Sequence, residues 1–224
     1  MQNTLTIRYK FIHKLVNDLY ISLGLNSYPI DLNTVVNSFS NIKIISYSQF
    51  MNDFNLTKTQ VFSYFTSDDG CCDYKPSLNA YIIYYNDITI TNPRRILWTI
   101  VHELGHIFCR HNKINSMVES DDDLYDFMES EANYFTSIFL AHPAILKELN
   151  IHNPYEIEVF CNLSTQAAKY RYSSFKRFTT FRFLTGSDKY IIANFRDFID
   201  SKNKDYYEHL NFLSAFQGNF FSNK

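Results

Sequence analysis

The chain has 224 residues with 21 Lys and Arg against 23 Asp and Glu, for a formal net charge of -2 and a pI near 6.4. That balance leaves no global electrostatic footprint for nucleic acid or anionic lipid. With 46% hydrophobic and 20% charged residues, wholesale disorder is excluded, and the length suits one ordinary domain, or one with a small appendage, around a real core.

Phe11, Ile12, Leu15, Val16, Leu19, Tyr20 and Leu23 recur at three- and four-residue spacing, predicting an amphipathic helix that Gly24 and Asn26 end. Asp31 reads as the cap of a second short helix, and Ile42, Ile44 and Ile45 as a strand. Between Val61 and Asp87, two aromatic and β-branched runs flank Ser67-Asp68-Asp69-Gly70, predicting an antiparallel pair with Ala80 to Tyr85 the stronger strand. From Pro93, the residues Ile96, Leu97, Ile100, Val101, Leu104, Ile107 and Phe108 keep helical spacing. The polar stretch Asn112 to Asp123 reads as a solvated loop, followed by a helix from about Leu124 to Ala141 and a shorter piece from Pro143 to Leu149. Helical patterns at Pro154–Phe160 and Ser164–Phe178 flank the turn Asn162-Leu163-Ser164, and the tail beyond Gly186 carries no motif.

Cys71 and Cys72 are adjacent while Cys109 and Cys161 stand alone, matching neither a disulfide framework nor a CxxC metal pattern, so reduced thiols are expected. Arg8, Lys10 and Lys14 interrupt the N-terminal apolar pattern, unlike a secretory leader, and no run approaches the roughly 18 apolar residues of a membrane span. A cytoplasmic location with no membrane association is the expectation.

His102-Glu103-Leu104-Gly105-His106 is an HExxH motif inside the helical pattern. Residues four apart share a helix face, so both imidazoles can bind one metal ion while Glu103 projects beside them as general base. A catalytic zinc site needs a third protein ligand. The spacing HExxHxxGxxH fails at Cys109 and Asn112, and His111 reads as a helix-end histidine favoured by the C-terminal dipole. In the next helix Glu129 and Asn133 share a face, with Glu131 pointing roughly 160° away and expected to face solvent. Glu129 is therefore the expected third ligand, and Asn133 the expected acceptor for a ligand histidine's second nitrogen. Zinc is the expected metal, although manganese and iron also suit two histidines and a carboxylate.

These motifs, together with Phe135 and with Leu140-Ala141 ahead of Pro143, resemble the ImmA/IrrE metallopeptidases over roughly residues 8 to 180. The resemblance implies an α+β fold: a zincin-like domain over 1–150 whose small, mostly antiparallel sheet packs on helices. A helix-turn-helix-like segment over 151–185 and a tail over 186–224 would follow. It also implies regulatory proteolysis, in which a partner helix-turn-helix repressor is cut and a mobile-element, phage or stress programme is switched on. Thr136 and the pair Ala141-His142 depart from the commonest family form, as does Arg110 before His111. In the expected reaction zinc acidifies a water, Glu103 takes its proton and then protonates the leaving amine. Ala80 to Tyr85, through Tyr81, Ile83 and Tyr85, is expected to be a sheet edge that receives substrate as an added strand. The competing expectation is a non-catalytic, metal-binding DNA-binding regulator, supported by Lys169, Arg171, Lys176, Arg177 and Arg182 along a helix that Ser164 caps.

Overall fold

The computed structural model describes residues 5–65, 67–111, 122–181, 183–205 and 208, so Arg182 and the loop of 112–121 lie outside the described residues. The first helix, α1 (Tyr9–Ser22), buries Ile12, Val16, Leu19 and Tyr20 along one stripe, and Gly24 follows it at φ +61°, the left-handed conformation that ends helices most cheaply with glycine. Asp31 accepts a 3.1 Å hydrogen bond from the Asn33 backbone N–H and caps α2 (Leu32–Asn37), which leads into β1 (Ile42–Ser46).

The next stretch differs from the sequence reading. Val61 belongs to α4 (Lys58–Tyr64), not to a strand, because Thr57 and Gln60 form a reciprocal capping box that starts a helix there. Ahead of it, α3 (Tyr47–Asp53) starts on a Ser46 cap. The antiparallel pair exists one segment later, as β2 (Gly70–Lys75) and β3 (Ala80–Tyr85). The reversal between them runs through the 3-10 turn Pro76–Leu78 and a left-handed Asn79.

The sheet order is β1-β3-β2, with β1 parallel and β2 antiparallel to β3. A small mixed sheet therefore packs on helices, in an α+β arrangement. This topology corrects one expectation. Ala80–Tyr85 is the central strand, so its ladder groups are taken on both sides and it cannot accept an added strand. Ile83 is wholly buried and Tyr81 nearly so, and the free edge on the cleft side belongs to β2.

The remaining elements are α5 (Pro93–Phe108), α6 (Asp122–Leu140), α7 (Pro143–Glu148), α8 (Pro154–Cys161), α9 (Thr165–Phe181), α10 (Gly186–Asn194) and a helical stretch over 196–205. One hydrophobic cluster runs through them, from Ile12 of α1 to Leu104, Phe135 and Ile145, and on to Ile157, Phe175, Phe195 and Ile199. The tail without a motif thus contributes core: Ile191, Ile192 and Phe195 are buried, and α10 packs on α1 and α7. Among the described residues no helix is long and apolar enough to cross a membrane.

A polar cluster sits inside this core. His13 Nε2 donates to Asp188 Oδ1 at 3.0 Å, Asn17 donates to the same oxygen at 3.0 Å, and His142 Nε2 donates to Asn17 Oδ1 at 2.8 Å. His142 Nδ1 accepts from the Ala144 backbone N–H and so caps α7. The His142 half of the Ala141-His142 departure from the family form is thereby accounted for, and beside it the Ala141 carbonyl accepts from Arg171 Nε at 2.7 Å. Arg171, at 1% exposure, is buried, so the regulator reading loses one of its cations, while Ser164 does cap α9 through the Ala167 backbone N–H.

Candidate metal centre and active site

Asn92 accepts from the Arg94 backbone N–H and Pro93 occupies the first turn, so α5 starts where its missing N–H costs nothing. Its buried face, through Ile100, Val101, Leu104 and Ile107, fixes the helix on the core and leaves His102, Glu103 and His106 half-buried toward a cleft. Two ion pairs tie the helix start down: Arg94 to Glu158 of α8 at 2.9 Å, and Arg95 to Asp69 at 2.5 Å. Helix α6 crosses at Gly105, where an added Cβ would lie 3.1 Å from Phe135 Cδ1 and 3.2 Å from Ala132 Cα. Small residues on both helices therefore let α6 bring Glu129 over the two histidines.

The resulting geometry is tight. His102 Nε2 and His106 Nε2 are 3.0 Å apart, and the two oxygens of Glu129 lie 3.2 Å from one nitrogen each. Ligands sharing a tetrahedral ion at bonds of roughly 2.0–2.1 Å stand about 3.3 Å from each other, so the donor set matches a divalent metal in spacing and in its N,N,O chemistry. Burial opposes ionising Glu129, but hydrogen bonds with both histidines hold its carboxyl well below the ordinary range. Glu103 is different: burial outweighs the nearby His102 and pushes its carboxyl up to about 7, where it can exchange a proton near neutrality. Asn133 lines the same cleft as His102.

The cleft over these groups has a volume of about 760 Å³ and exposes Cys71, Cys72, Asp73 and Tyr74 of β2 along one wall. Trp98 and Tyr125 join the lining. Tyr125 stands one turn before Glu129 on α6, and the Glu129 charge, with burial, raises its phenol above the ordinary range so that it stays a donor. The i−4 offset from the carboxylate is the sequence signal that points to it. Of the proposed strand residues, Tyr81 reaches the cleft, whereas Ile83 packs into the core.

One expectation fails here. Glu131 is not at the surface: it is 0% exposed and holds Arg8 through a bidentate ion pair. His111 does follow the end of α5, and it is buried between His106 and Glu131. The projection argument sent Glu131 to the far side of α6 correctly. That side is covered by the start of α1, so it is not solvent.

Two histidines a helical turn apart, a carboxylate from the following helix and a half-buried acid beside them make the arrangement that an HExxH metallohydrolase uses. A family model described as the IrrE N-terminal-like domain of the Peptidase M78 group matches residues 50–173, more than half of the chain, and the chain belongs to that family of metallopeptidases. Among solved structures, a Mycobacterium tuberculosis transcriptional regulator is similar at 15% identity and a TM-score of 0.47, over 73% of this chain and 46% of that one. The chain therefore spans less than half the length of that structure. No curated protein matches it.

Proposed function

We propose that this chain is a zinc endopeptidase that cuts one bond in a partner protein, with His102, His106 and Glu129 as ligands and Glu103 as general base. The observation that carries the reading is the convergence of two imidazole nitrogens 3.0 Å apart with one Glu129 oxygen 3.2 Å from each, beside a half-buried acid in an open cleft. When bound, the metal supplies Lewis acidity, which acidifies water and polarises a peptide carbonyl. Glu103 takes the proton of the attacking water and returns it to the leaving amine. Tyr125 offers its phenolic O–H to the developing oxyanion, and Asn133 holds His102 in orientation. The free edge of β2 receives the substrate backbone as an added strand.

The substrate class rests on the family resemblance: a helix-turn-helix repressor whose removal switches its genes on. The test incubates wild type and Glu103→Gln, each with metal content measured, with the repressor encoded beside this gene, and follows cleavage by mass. Cleavage at one bond by wild type alone supports the reading. If both proteins hold metal and neither cuts, the metal-binding regulator becomes the better account.

A further inference from the structure

Behind the metal site, a chain of hydrogen bonds leads away from His106 through groups that take no part in the reaction above. His106 Nδ1 lies 2.9 Å from His111 Nδ1, and His111 Nε2 lies 3.1 Å from Glu131 Oε2. Arg8 closes the chain: its Nε is 2.9 and 3.1 Å from the two Glu131 oxygens, its Nη2 is 2.5 Å from Oε2, and its backbone N–H donates to Oε1 at 2.8 Å. The same Nη2 donates to Cys109 O at the end of α5. Three elements, the start of α1, the end of α5 and the middle of α6, therefore meet on one carboxylate.

The order of protons along this chain follows link by link. Arginine is always protonated and donates only. Glu131 beside it receives the Arg8 backbone N–H and both guanidinium N–H groups on its two oxygens, so it stands in the chain as an acceptor. Glu131 accepts, so His111 Nε2 carries a proton toward it. For His106 to bind a metal through Nε2, the atom that faces His102 and Glu129, its own proton sits on Nδ1 and is donated to His111 Nδ1 across the 2.9 Å contact.

We propose that Arg8, Glu131 and His111 are positioning residues that fix the tautomer and tilt of His106 for metal binding, an inference that rests on His106 being a ligand. Cys109, His111 and Glu131 also converge within 4.8 Å of one another and offer the outline of a second metal site. They do not form one, because Arg8 occupies both Glu131 oxygens, both His111 nitrogens are engaged, and burial pushes the Cys109 thiol up to about 12.

The test measures zinc affinity by chelator competition and the visible spectrum of the cobalt-loaded protein, in full-length chains whose fold is checked by circular dichroism. His111→Phe fills the space but breaks the chain, and weakens zinc binding about 10- to 100-fold with an altered cobalt spectrum. His111→Gln, which can accept from His106 and donate to Glu131, restores most of the affinity and the parent spectrum. Arg8→Met and Glu131→Gln weaken binding less, and carry the test should His111→Phe not fold. Affinity within twofold of wild type and an unchanged spectrum in the folded variants would overturn the relay. A stoichiometry of two metals per chain, lost to one in His111→Phe, would also overturn it in favour of a second site. His102→Ala separates the two readings: if it keeps its metal with wild-type affinity, the ligand assignment itself has failed.

Discussion

Two clusters in this molecule bring two histidines and a carboxylate within 4.8 Å of one another: His102, His106 and Glu129 in the cleft, and His13, His142 and Asp188 in the core. Their compositions are the same and their surroundings are opposite. In the core cluster the inward atoms are spoken for, with Asn17 bridging Asp188 and His142 while the Ala144 N–H occupies His142 Nδ1. In the cleft the two Nε2 atoms and the carboxylate oxygens face one another at 3.0–3.2 Å. Imidazole nitrogens and a carboxylate gathered at an open cleft suit a cation, whereas the buried network ties helices together. Residue type alone does not tell a metal centre from a tether.

The largest effect that sharpens this contrast lies on the cleft side. Glu103→Gln is expected to lower turnover about 10²- to 10⁴-fold while zinc content and melting temperature stay at wild-type values, read by cleavage kinetics, metal analysis and calorimetry. On the core side, Asp188→Ala leaves His13 and Asn17 without their shared acceptor and is expected to cost about 3–5 kcal/mol, on the order of 10 °C in melting temperature. Zinc affinity should not move. A matching loss of metal in that variant would break the distinction between the clusters.

The core tether also sets an acid sensitivity. Burial, with His13 and Arg171 adding to it against the opposing charge of Asp188, lowers His142 to about 3 from an ordinary 6.5. Below pH 6.5 the unfolded chain therefore takes up a proton that the folded chain refuses, and stability falls with pH down to about 3. Asp188 adds to this below pH 3.8, because its hydrogen bonds with His13 and Thr185 overcome burial and hold it low. A melting series from pH 7 to 4 should show a fall of about 1 kcal/mol per pH unit from His142, and a shallower fall in His142→Gln. The smallest expected effect is at the helix crossing. Gly105→Ala forces Phe135 or Ala132 to yield and should cost about 1–3 kcal/mol, with a weaker zinc site because α6 carries Glu129.

How far the sequence could be read depended on how local each feature was. The HExxH spacing, the Asn92 to Pro93 start and the i,i+4 pair of Glu129 and Asn133 all lie within single helices, where the 3.6-residue repeat fixes the face. The solvent-facing reading of Glu131 failed because a helical projection gives a direction and not what lies there. A signal was present: Ala132, Phe135, Ile138, Phe139 and Leu140 are apolar around most of the second half of α6, which marks that half as buried. The strand error had a similar origin. The apolar run of β3 was legible as a strand, but its central place depends on β1 pairing from nearly forty residues away.

The sequence by itself determined the chemistry of the centre, because two imidazoles and a base one turn apart are a local consequence of helix geometry. It also set most helix boundaries, through caps, prolines and glycine. Only the tertiary structure decided which histidines and carboxylates gather at the cleft, which lie behind it and which sit in the core, and which strand edge faces the cleft. Those distinctions turn on which atoms from distant segments meet: Arg8 on Glu131, Asp188 on His13, and β2 beside the metal helix. A local pattern carries no record of such meetings, since hydrophobic burial brings the segments together and hydrogen bonding then sorts the polar atoms inside.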